Sequence, residues 1–250
     1  MRQAVRMEWR KMRRLRTIPI LMVLVTVVVA LSSTSLFSES TRESFADPTT
    51  RPWAGLLLSY TLMAAMTSPI LVAVLASRQT EIEHSGGGWI LSATAGYSPG
   101  TLLRAKLAVL GSLVFVAVVL QTLCIVAAGH LAGIPVPMDV VPWTIYTGLL
   151  VVLNVAFLAL HIWLAAVVDN QLISVGIGML GAFVAVFSLL APPGITRFVP
   201  WGYYAMISQV TATDRVVGYA TAPYAWIAGF LVLAGIFFVA ATRRFDRVEG

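Results

Sequence analysis

Residues 81–106, EIEHSGGGWILSATAGYSPGTLLRAK, concentrate the side chains whose types and spacing could do chemistry. Glu81, Glu83 and His84 offer two carboxylates and an imidazole, the triple glycine at 86–88 could cradle a phosphate, and Gly96-Tyr97-Ser98-Pro99-Gly100 spells the G-x-S-x-G of a serine hydrolase. Each chemistry fails on a physical requirement. A nucleophile elbow uses the N–H after its serine in the oxyanion hole, and Pro99 has no N–H. Ser98 reads instead as a helix N-cap, with Pro99 at the first helical position. Three metal ligands crowded into four residues do not present one helical face, because i and i+2 point apart, and no second cluster in the sequence completes a coordination shell. A phosphate-binding loop would need G-x-x-x-x-G-K-[ST], which occurs nowhere in the chain.

The elements that must position this segment follow from composition. The 250-residue chain is 58% hydrophobic and 11% charged, against about half apolar and a quarter charged in soluble domains. This composition predicts an all-α integral membrane protein. Six uncharged intervals, 17–38, 52–77, 107–138, 140–168, 170–196 and 216–242, each exceed the roughly 20 residues that a helix needs to cross about 30 Å of hydrocarbon. Transmembrane helices are expected near 17–37, 53–77, 102–128, 144–168, 172–191 and 223–241. The layout is then an interfacial helix over 1–16, a six-helix domain over 17–241 and a tail over 242–250. Within the domain, a loop at 78–101 faces one side, and loops at 38–52, 129–143 and 192–222 face the other. The first apolar run is too long for a signal-peptide core and reads as a retained helix. Cys124 is the single cysteine, so there is no disulfide framework.

Charge sets the orientation. Only Arg42, Arg51, Arg197 and Arg215 fall in the segments opposite the termini, leaving 13 of the 17 Lys and Arg on the side of the termini. The positive-inside rule places that side in the cytoplasm. The net charge of +6 thus reflects membrane orientation, and no nucleic-acid partner is expected. In MRQAVRMEWRKMRRLRT, Arg2, Arg6, Arg10 and Arg13 share one helical stripe, while Val5, Trp9, Met12 and Leu15 share its neighbour. That pattern suits a helix on the membrane surface, with Arg6, Arg10 and Arg13 turned to anionic lipid and Trp9 among acyl chains. Inside the spans, Asn154 and His161 lie seven apart on one face that turns into the bundle. Interhelical hydrogen bonding is the first reading of this pair, and lining of a translocation path is the second. The aromatic PWGYY of the last outer loop reads first as an interfacial belt and second as part of a substrate exit surface.

Taken together, the order Glu8, Lys11, Arg13-Arg14 and Arg16 runs straight into the first span. A second span follows, then a loop with an acidic start (Glu81, Glu83), a Gly and aromatic centre (Gly86 to Trp89), a short apolar helix (Ile90 to Ala95), a YSPG turn and LLRAK. This arrangement resembles the permease subunits of ABC-2 type ATP-binding-cassette exporters, especially the small six-helix permeases of lantibiotic-immunity and antibiotic-resistance systems. The resemblance covers essentially the whole chain, although the triple glycine departs from the relatives' more usual charged-Ser/Gly-Thr pattern. It implies a multi-pass protein of a bacterial plasma membrane that exports a hydrophobic or amphipathic substrate: a peptide antibiotic, a drug or a lipid. It also implies a separate ATPase subunit that carries ATP and Mg, a second permease (identical or not), and no cofactor or catalytic residue on this chain. The 78–101 loop then carries a cytoplasmic coupling helix, with Glu81, Glu83, His84, Trp89, Ile90 and Leu91 as the ATPase contact. Physically, WILSATAGY is too apolar to be left in water and too short to span, so it needs a protein groove or the membrane interface. A stand-alone carrier would need a titratable group within the membrane, for which His161 is the candidate, and a membrane sensor or assembly factor would need a soluble domain.

Overall fold

The computed structural model describes residues 2–43, 45, 50–213 and 216–248. The chain runs through α1 (Arg2–Arg14), α2 (Thr17–Ser33), a 3-10 turn (Thr34–Phe37), α3 (Glu39–Glu43), α4 (Pro52–Ser85), α5 (Gly88–Thr94), α6 (Pro99–Leu131), α7 (Val140–Val167) and α8 (Gln171–Ser188). The short helix α9 (Pro193–Thr196), a 3-10 turn (Pro200–Gly202), α10 (Tyr203–Met206), an antiparallel hairpin of β1 (Val210–Thr213) and β2 (Val216–Tyr219), and α11 (Tyr224–Val248) complete it. Among the described residues, six helices are long and apolar enough to cross a membrane: α2, α4, α6, α7, α8 and α11. The protein is an all-α membrane bundle, with one small hairpin added between α10 and α11.

α4 is the hub, packing against α2, α7 and α8. It meets α8 closely because Gly178 has no side chain: a Cβ there would lie 2.9 Å from the Pro69 carbonyl oxygen and collide with Ala73. Small residues at such crossings let helices approach where no hydrophobic force drives them together. Outward faces carry apolar side chains such as Val23, Phe115, Leu180 and Leu233, as a bilayer-facing surface requires.

Two departures from the sequence expectation matter for function. First, α4 does not end with its apolar run. It extends over 34 residues, about 51 Å at 1.5 Å per residue, so its last turns stand beyond about 30 Å of hydrocarbon, beside the first turns of the 33-residue α6. Second, PWGYY is not a peripheral belt. Tyr203 and Tyr204 are buried, Trp201 and Tyr204 stack on Phe157 of α7, and Tyr203 stacks on Phe230 of α11 with ring centroids 4.3 Å apart. Gly181 makes room on α8 for the Trp201 ring. The loop thus plugs the end of the bundle away from the termini, because its rings find more apolar surface among α7, α8 and α11 than at the rim.

Candidate coupling site

The 86–98 connection between α4 and α6 is built by its glycines and its cap. Gly87 takes φ 60° and Gly96 φ 80°, left-handed values that glycine adopts without steric cost. Between them lies α5, seven residues long. At its far side Ser98 Oγ accepts from the Thr101 N–H at 3.3 Å, and Pro99 opens α6. The N-cap reading of the G-x-S-x-G is therefore correct. Gly100 serves packing: a side chain there would strike the Thr242 carbonyl and Asp246 of α11. Arg104 closes the same contact, bonding Asp246 Oδ2 at 2.9 Å and Thr242 Oγ1 at 3.2 Å.

α5 shows its apolar side chains to the outside. Ile90 is 72% and Leu91 66% exposed, and Ser92 is its buried residue. Trp89 is half-buried, edge-on to His84 with centroids 5.8 Å apart. His84 in turn holds the α7–α8 turn: Nε2 lies 2.8 Å from the Ala165 carbonyl oxygen and Nδ1 2.9 Å from Asp169 Oδ1. His84 is thus a strut between the base of α5 and the neighbouring helices, and Glu81 beside it is half-buried.

Glu83 departs from the expected outward contact. It is 1% exposed and points into a buried charge cluster. Lys106 Nζ donates to Glu83 Oε1 at 2.7 Å and to Glu8 Oε2 at 2.8 Å. Lys11 Nζ donates to Glu83 Oε1 at 2.6 Å and to Glu8 Oε1 at 2.9 Å. Gln79 Nε2 donates to Glu8 Oε2 at 3.0 Å, while the Gln79 backbone carbonyl oxygen accepts from Lys106 Nζ at 3.0 Å. Two carboxylates and two ammonium groups make the cluster neutral, which is what allows charge to be buried. Burial by itself would raise the Glu8 carboxyl, but Lys106, the Gln79 hydrogen bond and Lys11 hold it below the usual range. Burial would likewise lower the Lys11 ammonium, and bonding to Glu83 and Glu8 raises it instead.

The cluster also repositions α1. Its inward stripe is Ala4, Glu8 and Met12, spaced by four on one helical face. Arg78 Nη2 binds the Leu15 carbonyl oxygen at 3.1 Å, capping the end of the helix. Arg6 and Arg10 face outward and Trp9 is 41% exposed, while the Arg13 side chain lies outside the described residues. α1 is therefore bolted to α6 through the Lys106–Glu8 ion pair. The sequence reading counted Lys106 and Arg78 only as flanking cations and passed over Gln79. The signal for them was a lysine two turns inside an apolar helix and the i, i+4 pair Gln79 and Glu83 on one face.

Asn154 and His161 do face inward. Both are fully buried, with Asn154 Oδ1 accepting from the Tyr204 hydroxyl at 2.8 Å and His161 Nδ1 3.2 Å from Ser174 Oγ. They hold α7 to the plugging loop and to α8, and His161 lies one turn before Ala165, whose carbonyl oxygen meets His84 beside α5. Among the described residues no group of three His, Cys, Asp or Glu could hold a metal ion.

Residues 4–185 match the model of a family described as ABC-2 family transporter protein. The match spans α1 through most of α8 and so contains the whole α4–α5–α6 connection and its charge cluster. No curated protein matches the chain.

Proposed function

Because the chain belongs to the ABC-2 transporter family, we propose that it is the permease of an ATP-driven exporter, in which α5 is the element gripped by a separate ATPase subunit. The side of the termini faces the cytoplasm of a bacterial cell. A second permease completes the path, Mg and ATP reside on the ATPase subunits, and the cargo is hydrophobic or amphipathic. Asn154 and His161 are the polar groups that would line the path once Tyr204 and Ser174 release them.

The observation that carries this reading is α5 itself: two large aliphatic side chains exposed at the tip of two helices that outreach the membrane. Burial of each is worth roughly 1.5–3 kcal/mol, so a groove on a partner is their natural cover. Displacement of α5 would reach the membrane through α4 and α6, while the charge cluster makes α1 move with them. Rigid helices of this kind are the usual carriers of such rearrangements.

The test is Ile90→Ala with Leu91→Ala. Both positions are exposed, so insertion and thermal stability should stay at the wild-type level. Recovery of the ATPase with the tagged permease should fall by at least about tenfold, since 1.4 kcal/mol is a tenfold change in affinity, and export should fall with it. A correctly inserted double mutant that binds the ATPase and exports normally would remove α5 from the coupling contact.

A further inference from the structure

We propose that the end of the bundle opposite the termini carries a binding site for an acidic phospholipid, with its phosphate at Arg197 and an acyl chain along α11. A cavity of about 480 Å³ opens there, lined among others by Arg197, Tyr203, Trp226, Gly229, Phe230 and Leu233. The Arg197 guanidinium sits 5.1 Å from the centre of the Trp226 ring, an arrangement that holds a cation in place without neutralising it. Its Nε is shielded from solvent and has no hydrogen-bond partner. Among the described residues Arg197 takes part in no ion pair. A fixed guanidinium with free donors is the group best shaped to receive a phosphate.

Below this cation the lining is apolar and runs in a line. Trp226, Gly229, Phe230 and Leu233 follow the i, i+3, i+4, i+7 stripe of a helix, a descent of about 10 Å into the span. Trp226 and Phe198 flank the charge at the level where aromatic rings favour the membrane interface. The groove opens outward: α11 is the least buried of the six spans, and Leu233 and Ile236 on it are exposed. A head-level cation above a lipid-facing apolar channel complements a lipid, whereas a cargo path would open between helices.

Gly229 keeps the channel open. A Cβ at this position would meet nothing within 4 Å, so packing does not demand a glycine, although glycine in a helix interior costs stability. The assignment goes beyond the ATP-driven reading and does not depend on which cargo the protein moves.

Native mass spectrometry of the purified protein, titrated with phosphatidylglycerol and with phosphatidylcholine of the same acyl chains, tests the site. The wild type should retain one phosphatidylglycerol at least about fivefold more tightly, the scale of one charge-assisted contact. Arg197→Gln should abolish that preference and Arg197→Lys should keep part of it. Gly229→Leu fills the channel while leaving Arg197 in place, and should release the lipid with an unchanged or higher melting temperature. Arg244→Gln, an exposed cation at the other end of α11, should change nothing. Equal retention of the two lipids by the wild type, an undiminished preference in Gly229→Leu, a loss in Arg244→Gln as large as in Arg197→Gln, or full displacement by inorganic phosphate alone would each overturn the assignment.

Discussion

Lys106 is the residue on which the cytoplasmic end of the bundle turns. It is fully buried and is the one cation of the cluster drawn from α6, joining Glu8 of α1 to Glu83 of α4. Replacing such a set with apolar residues can be neutral, but removing one partner strands the others. Lys106→Ala should therefore cost about 3–5 kcal/mol, seen as a lower melting temperature in detergent and as release of α1 to protease. The pH dependence follows from the shifts. Glu8, held below its usual range, adds stability that is present above its unfolded pKa and is lost as pH falls through the folded one. Lys11, held above its usual range, adds stability present below its unfolded pKa and lost as pH rises through the folded one. Docking of α1 should thus be flat across neutral pH and fail on the acid side, below the ordinary carboxylate range. Glu8→Gln should flatten that acid limb, and an unchanged limb would mean that other carboxylates govern it.

At the scale of elements, hydropathy found all six spans because each is an apolar run longer than a bilayer needs, and the Ser98 cap and Pro99 marked the start of α6 to the residue. The ends were less legible. A helix does not stop where its apolar run stops: Arg78, Gln79 and Glu83 are polar in sequence yet buried or bonded in the fold, because their partners lie 63 to 72 residues away on α1 and 23 residues away on α6. Pairings over such separations leave no periodic trace. PWGYY misled for a similar reason, since an aromatic cluster reads alike at a membrane rim and in a core. The glycines separate by contact instead of by pattern. Gly100→Ala drives a methyl into the Thr242 carbonyl and Asp246 and should destabilise by about 1–3 kcal/mol, parting α6 from α11. Gly235→Ala meets open space on α11 and should instead be neutral or gain up to about 1 kcal/mol. Melting temperatures of the two variants, measured side by side, check the contrast.

For the whole molecule, the two ends of the bundle are built for different neighbours. The end bearing the termini carries the overhanging helices, the charge cluster and α5, with 13 of the 17 basic residues by sequence. The opposite end is closed by the aromatic plug and the short hairpin. A cytoplasmic ATPase would reach α5 only with the first end inside the cell, so the coupling role proposed for α5 and the orientation of the bundle stand or fall together. Two exposed positions report on it, Ser85 beside α5 and Thr211 on β1, each changed to cysteine in a Cys124→Ser background. An impermeant thiol reagent added to intact cells should label the Thr211→Cys protein and spare Ser85→Cys, and opening the cells should expose both. The positive-inside rule motivates that result, and the length of α4, about 51 Å from 34 residues, places Ser85 well clear of the hydrocarbon, so that failure to react reflects its side of the membrane and not burial in lipid. Labelling of Ser85→Cys in intact cells would invert the bundle and put α5 out of reach of any ATP-hydrolysing partner.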